Sequence, residues 1–244
     1  MTETVGAQSG TTAPKGLLAR IVGVLTSPRG TYADVAERPR SLGVLAVVIL
    51  ISMAGTFTLF STTVGQRALL DQQVRSMESF GMKITDPVYQ RMQEGIGRAP
   101  YFAAVSQLVS LPLVAAILAG IFLGVFNAIM GGNAKFKQVF AVVAHSGVVI
   151  AVQQFFVLPL DYFRESLSSP TNLAVFVPML DENTFVVRAL GAIDLFLIWW
   201  MVNLSIGLAV LYKRRTGPIA ITLITIYVVL GLVIAGIKTA LAGA

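Results

Sequence analysis

The chain of 244 residues is 55% hydrophobic and only 12% charged, with a mean hydropathy of +0.78. Globular chains carry about 25% charged residues, so this composition indicates helices in lipid rather than a large soluble core. The net charge of +6 does not indicate nucleic-acid binding, because the 18 Lys and Arg residues form neither a long run nor an aromatic-interleaved patch. Without cysteine, the chain has no disulfides and no thiolate metal ligands.

The residues before the first apolar segment predict a polar tail and a helical arm. Residues 1–14 are small and polar, and we expect them to be disordered. In the arm, residues 15–41, apolar side chains recur at helical spacing, and Ser27 with Pro28 marks the start of a second helix. We interpret these as short amphipathic helices at the membrane interface. They would bind lipid or a cytoplasmic partner or, as the simpler interpretation, pack on the bundle.

Five apolar segments are each long enough to cross a bilayer as a helix. They lie at about residues 42–64, 102–130, 138–160, 189–212 and 218–241. Hydrocarbon about 30 Å thick needs about 20 residues at a rise of 1.5 Å per residue. The first segment begins too late and is too long for a cleavable signal peptide. The predicted fold class is therefore all-α, a polytopic membrane bundle of five transmembrane helices within residues 42–244.

The long loop at residues 65–101 has helical content of its own. One apolar stripe runs along the segment that stops at Gly81, and Asp86 with Pro87 marks the start of a second helix. The loop is expected to be a helical hairpin, either lying on the outer membrane surface or forming a solvated cap.

Basic residues in the loops predict the orientation of the chain in the membrane, because they are retained on the cytoplasmic side. With the amino terminus inside, the cytoplasmic segments hold ten Lys and Arg residues against eight on the other side. The two shortest loops, at residues 131–137 and 213–217, carry five of these ten. We therefore expect a cytoplasmic amino terminus and an outer carboxyl terminus, in a bacterial inner or cytoplasmic membrane.

Small residues recur at every fourth position of two segments. They are Ala116, Gly120, Gly124 and Ala128 in the second segment, and Gly231 and Ala235 in the last. This spacing places the small residues on one helix face, where a neighbouring helix can approach closely. We expect helix packing at both faces.

Three polar residues within the apolar segments are candidates for a function inside the membrane. His145 and Asn203 would lie in one layer near the cytoplasmic side, and Asp194 near the outer side. A central aspartate costs roughly 2.5–3.5 kcal/mol to insert. A transport pathway would use such groups along one lumen. Nine residues of a straight helix, however, place Asp194 and Asn203 about half a turn out of phase.

The sequence predicts no enzyme and no catalytic, cofactor-binding or metal-binding residue. The chain has one histidine, with no HExxH zinc motif and no GxSxG elbow. An aspartyl mechanism needs two facing carboxylates, and Asp194 has no intramembrane partner in the sequence.

The order of several loose motifs resembles the Yip (Ypt-interacting protein) domain family, in particular its bacterial-type five-span members. The motifs are Pro28 and Tyr32 after an amphipathic segment, the turn Gly131–Gly132, and Trp199 or Trp200 followed by Gly207. The resemblance covers roughly residues 17–240 and implies a non-enzymatic membrane protein. Eukaryotic relatives are associated with vesicle traffic and Rab-type GTPases. This chain lacks their Asp-Leu-Tyr-Gly-Pro motif, which argues against binding of a small GTPase.

The leading hypothesis is a membrane scaffold or organiser. Its partners would be membrane lipid and other membrane proteins or further copies of the chain. The alternative is a transporter of small solutes or ions that uses His145, Asp194 and Asn203.

Overall fold

The computed structural model describes residues 15–181 and 184–242, and eleven α-helices account for most of these ranges. The polar tail expected at residues 1–14 lies outside the described residues. In chain order the helices are α1 (Leu17–Thr26), α2 (Pro28–Glu37), α3 (Leu42–Phe60), α4 (Thr63–Glu78), α5 (Asp86–Gly95), α6 (Ala99–Leu123), α7 (Phe136–Ser146), α8 (Val148–Arg164), α9 (Phe185–Gly191), α10 (Leu195–Leu211) and α11 (Thr216–Ala242). The all-α class is thus as predicted for the part of the chain described.

Four segments of the described residues are long and apolar enough to cross a membrane. They are Leu42–Phe60, the apolar part of Asp86–Ile129, Phe136–Arg164 and Thr216–Leu241. The second continues α6 through a π-helical segment, Gly124–Ile129, and the third consists of α7 and α8 with Gly147 between them. Many large apolar side chains on these helices are exposed, which a membrane accommodates and water does not.

The segment expected to be a continuous span at residues 189–212 is broken. Helix α9 ends at Gly191, residues 192–194 leave the helical path, and α10 then runs for 17 residues. The break arises because Ile193 and Asp194 pair with a loop instead of continuing a helix. Leu173 N donates to Ile193 O over 3.0 Å, and Leu195 N donates to Thr171 O over 3.0 Å.

Helix α10 lies at the centre of the bundle and α11 at its periphery. Seven of the nine residues from Met201 to Ala209, in the carboxyl-terminal part of α10, are buried, and the helix packs against α2, α7, α8 and α11. Helix α11 packs mainly on α10 and α9, and most of its side chains are exposed. The arm helices α1 and α2 do not lie apart from the bundle, because Val24, Tyr32 and Val35 are all fully buried in its core.

The connecting segments gather at two ends of the bundle. At one end, which we call the arm end, the arm meets the turns at residues 130–137 and 212–216. The other end holds α4, α5 and the carboxyl end of α11. There Gly81 turns the chain at φ +77° against the Leu241 carbonyl, and the Lys238 ammonium lies 5.1 Å from the Phe80 ring. Two helices therefore occupy the loop expected to form a hairpin, with α5 beginning at Asp86.

Candidate functional site

A buried polar contact joins the arm to the central helix. The Tyr32 hydroxyl donates to Asn203 Oδ1 over 2.5 Å, and Asn203 Nδ2 donates to the Val24 carbonyl over 2.9 Å. Tyr32 is fully buried and Asn203 is 3% exposed. Burial raises the pKa of the Tyr32 phenol, which therefore stays a neutral hydrogen-bond donor. Asn203 is thus satisfied by both arm helices.

Gly207 makes room for this contact. A Cβ at this position would lie 2.6 Å from Val142 Cγ1 and 2.9 Å from two carbons of the Tyr32 ring. A glycine one turn after Asn203 is therefore what allows α2, α7 and α10 to meet. We call Tyr32, Val24, Val142, Asn203 and Gly207 the arm-docking site. It contains Tyr32 and Gly207 of the predicted family motif, and Pro28 of that motif lies in the first turn of α2.

The ion pair between Arg20 and Asp34 fastens the two arm helices together. Arg20 Nε lies 2.8 Å from Asp34 Oδ2, and their side chains are only 4% and 13% exposed. Arg20 Nη2 also donates to the Arg38 carbonyl over 3.0 Å, and Arg38 lies 3.6 Å from Asp34. Buried charges need such additional partners. Sequence reasoning missed this pair. The available signal was the position of Arg20, which follows Leu17 by three residues and so lies on the apolar side of α1.

His145 and Trp200 occupy the layer next to the arm-docking site. His145 is fully buried, and its Nδ1 lies 2.7 Å from the Ala141 carbonyl of the same helix, so Nδ1 is the donor. Trp200 Nε1 donates to Ser146 Oγ over 3.0 Å, and Ser146 Oγ donates to the Val143 carbonyl. The bond from Trp200 links α10 to α7, whereas the other two lie within α7. Trp199, the other aromatic residue of the motif, is 38% exposed.

Asp194 is the N-cap of α10. Its Oδ1 accepts from the backbone N–H groups of Phe196 and Leu197, at 2.8 and 3.2 Å. Its Oδ2 accepts from Ser169 at 2.5 Å and from Thr171 at 2.7 Å. Four donors on one carboxylate fix the start of the helix. The sequence signal was the aspartate itself, three residues after a glycine, which is typical of a helix boundary.

The three polar candidates therefore do not converge on one lumen. Asn203 contacts the arm, His145 bonds to its own helix, and Asp194 binds a loop at the opposite end of α10. Each hydrogen bond fixes local structure.

The two small-residue faces differ. Gly231 and Ala235 are buried, and a Cβ on Gly231 would lie 3.0 Å from the Ala192 Cβ beside α9. On α6 and the π-helical segment that continues it, Gly120, Gly124 and Ala128 are exposed, and a Cβ on either glycine would have no described atom within 4 Å apart from the neighbouring residues of its own helix. Ala116 lies half-buried at the edge of this face. Within the chain, α6 instead packs through the adjacent stripe, which includes Ala115 and Ala119. We call Gly120, Gly124 and Ala128 the open glycine face.

The turn after the π-helical segment requires its two glycines. Gly131 has φ +70°, a conformation that favours glycine. A Cβ on Gly132 would lie 2.8 Å from the Tyr212 ring and from the Phe126 carbonyl. The Tyr212 ring stacks on Phe126 with centroids 4.6 Å apart. These contacts hold the end of α10 against the end of α6.

An apolar groove of about 760 Å³ lies between α3 and α8. Its walls include Leu50, Ala54, Phe155, Leu158 and Phe163, and the lining contains no Asp, Glu, His, Lys or Arg. The described residues also contain no group of three His, Asp or Glu side chains able to hold a metal ion.

Apolar membrane-spanning helices, a buried arm and exposed apolar side chains together define a multi-pass membrane protein. The family model of the Yip1 domain matches residues 22–237, so the chain belongs to the Yip1 domain family. The match confirms the predicted resemblance to the Yip family, whereas the bacterial-type five-span detail stays a prediction. The match begins within α1, so the docked arm is part of the domain. No curated protein and no solved structure matches the chain.

Proposed function

We propose that this Yip1-domain protein is a non-enzymatic membrane scaffold that binds the transmembrane helix of another protein, or of a second copy, at the open glycine face. The observation that carries the proposal is the exposure of Gly120, Gly124 and Ala128 with no atom of the described chain near the two glycines. Glycine lowers helix propensity by about 1 kcal/mol relative to alanine. Close packing against a partner helix offsets that cost. Lipid makes no such close contact, so a lipid-facing position does not require glycine.

The proposal includes five membrane crossings. Helix α10 has 17 residues, the lower limit for a span, and covers about 25 Å. It begins at the loop around Thr171 and ends at the arm end of the bundle, so it runs between the same two ends as the longer helices. With α10 counted as a fifth crossing, the two ends of the described chain lie on opposite sides of the membrane. The basic loops favour the arm end as cytoplasmic, in a bacterial cytoplasmic membrane.

Crosslinking in native membranes tests the scaffold. The tagged full-length chain is crosslinked, extracted in mild detergent and captured, and the captured proteins are identified by mass spectrometry. We expect one reproducible crosslinked partner, or a crosslinked homodimer, whose yield falls at least tenfold for Gly120→Leu with Gly124→Leu. Leucine at these positions holds a partner helix away. The matched control is Thr222→Leu on the exposed face of α11.

Two results would contradict the scaffold. One is equal crosslinking of the glycine variant and the control; the other is recovery of the protein alone. The transport alternative would then be tested by solute flux with His145→Ala and Asp194→Asn, which should abolish flux and leave partner capture unchanged. The local hydrogen bonds of these residues give transport less support than the exposed glycines give the scaffold.

A further inference from the structure

Three segments distant in sequence meet at the arm end. Arg29 of α2 donates to Thr216 Oγ1 at the start of α11 over 3.4 Å. Arg214 donates to the Met130 carbonyl over 3.0 Å, which joins the last turn to the end of the π-helical segment. Gln138 of α7 donates to the Ala36 carbonyl over 2.9 Å and so connects α7 to α2. These contacts make one continuous surface from α2 and the two short turns.

This surface is strongly basic. Its exposed basic residues are Arg29, Lys135, Lys137, Lys213, Arg214 and Arg215. The same segments carry two acidic residues, Asp34 and Glu37. Asp34 is neutralised by Arg20 and Arg38, so Glu37 is the one exposed carboxylate among the described residues of these segments. We call the six exposed side chains the basic ring.

Exposed apolar side chains lie beside the basic ring. On α1, Leu18 is 76% and Val22 is 57% exposed, while Arg20 and Val24 face inward. Leu17 contacts α3 at Gly43, because a Cβ added to Gly43 would lie 3.3 Å from both Cδ atoms of Leu17. The neighbouring Leu42 is 79% exposed. Ile129, next to the turn at residues 130–137, is 79% exposed. This arrangement, apolar flanks under a ring of cations, is that of a surface at the boundary between acyl chains and headgroups.

We propose that the basic ring binds the headgroups of anionic phospholipids in the leaflet at the arm end. Arg and Lys side chains at this depth attract phosphate oxygens, and guanidinium groups bind them with paired N–H donors. The apolar flank makes lipid, rather than an acidic soluble protein, the fitting occupant, because it places the cations against the membrane surface. The proposal does not depend on the scaffold function, which uses the open glycine face.

Native mass spectrometry of the full-length chain tests this inference. The protein is equilibrated in micelles with an equimolar mixture of dioleoyl phosphatidylglycerol and dioleoyl phosphatidylcholine, and the retained lipids of each headgroup are counted. Near an anionic surface one basic residue contributes about fivefold in affinity. We therefore expect phosphatidylglycerol to be retained at least fivefold over phosphatidylcholine, with the preference falling as salt is raised.

The variant Arg29→Gln with Lys213→Gln and Arg215→Gln should lower the preference at least fivefold, because it removes three of the six cations of the basic ring. Arg214 is left unchanged because it holds the Met130 carbonyl. The matched control replaces three exposed arginines of the opposite end, in Arg67→Gln with Arg91→Gln and Arg98→Gln, and should keep the preference. Both variants are checked for monodisperse elution and native helix content.

Equal retention of the two lipids by the unmodified chain would overturn the proposal, whatever the variants do. An equal loss of preference in both triple variants would also overturn it, since the effect would then reflect net charge alone. The glycine variants of the scaffold test should leave the lipid ratio unchanged, and the basic-ring variant should leave partner capture unchanged. The two proposals therefore fail separately.

Discussion

Helices α10 and α11 are neighbours of similar apolar composition, yet they have opposite positions in the bundle. In α10 the buried side chains include Asn203, Ser205 and Leu208, and other helices pack around it. In α11, Ile226, Leu230 and Val233 are all about half-exposed or more, and few positions are buried. Hydropathy therefore identifies both as membrane helices but does not distinguish the core helix from the lipid-facing one.

The side chains that distinguish the two helices are small or polar. A helix surrounded by protein must fit fixed neighbours, so it needs glycine where a ring or backbone approaches and hydrogen-bonding groups where a partner is polar. A helix facing lipid meets a fluid that adapts to any apolar surface. The arm strengthens this contrast, because α2 supplies one wall around α10 and Tyr32 supplies the partner of Asn203.

The largest expected difference between the two helices comes from removing one leucine from each. Leu208 is fully buried and Leu230 is 57% exposed. Leu208→Ala leaves a cavity whose walls lose van der Waals contacts, so we expect it to lower the free energy of unfolding by about 2–5 kcal/mol. Leu230→Ala should change it by less than about 0.5 kcal/mol. Unfolding in mixed detergent and SDS micelles, followed by circular dichroism, measures both. Equal losses would mean that α11 is covered in the same way as α10.

A smaller effect is expected from adding a side chain to a glycine of each helix. Gly207→Leu must displace Val142 or the Tyr32 ring, so it should cost about 1–3 kcal/mol and loosen the arm. Gly217→Leu in α11 is the control, because a Cβ there meets no described atom within 4 Å. Limited proteolysis within residues 15–41 reports the loosening. Unchanged cleavage of the arm in Gly207→Leu would contradict the docking geometry.

Apolar length and helix signals in the sequence were sufficient for much of the fold. Leu42 begins the first span, α5 starts at Asp86, and α11 occupies the last apolar segment within two residues of the expected limits. These features depend on local chemistry, namely caps, glycine stops and uninterrupted apolar runs. The Yip resemblance likewise depended on motifs that keep their order along the chain, and the family match confirms it.

The parts that could not be predicted depend on contacts between distant segments. The break before α10 requires Ser169 and Thr171 to reach Asp194, and a window of hydropathy contains no information about such a loop. Hydropathy alone therefore predicts Asp194 to be an intramembrane charge rather than a helix cap. The placement of Tyr32 against Asn203 joins residues 171 positions apart. The open glycine face stays a prediction of helix packing, because its expected partner would come from another chain.

The smallest expected difference between a core residue and a surface residue comes from removing one hydroxyl group from each. Tyr32→Phe removes the donor to Asn203 Oδ1 inside the arm-docking site, and a buried hydrogen bond of this kind contributes about 1 kcal/mol. Tyr101→Phe is the matched control, because Tyr101 is 67% exposed on α6 and its ring only meets the edge of Phe57. The same unfolding measurement should show a loss for Tyr32→Phe and no loss beyond error for Tyr101→Phe. If Tyr32→Phe is silent while Gly207→Leu still loosens the arm, the Tyr32 hydroxyl contributes nothing to the stability of the docked arm, and the close fit around Gly207 contributes more than this hydrogen bond.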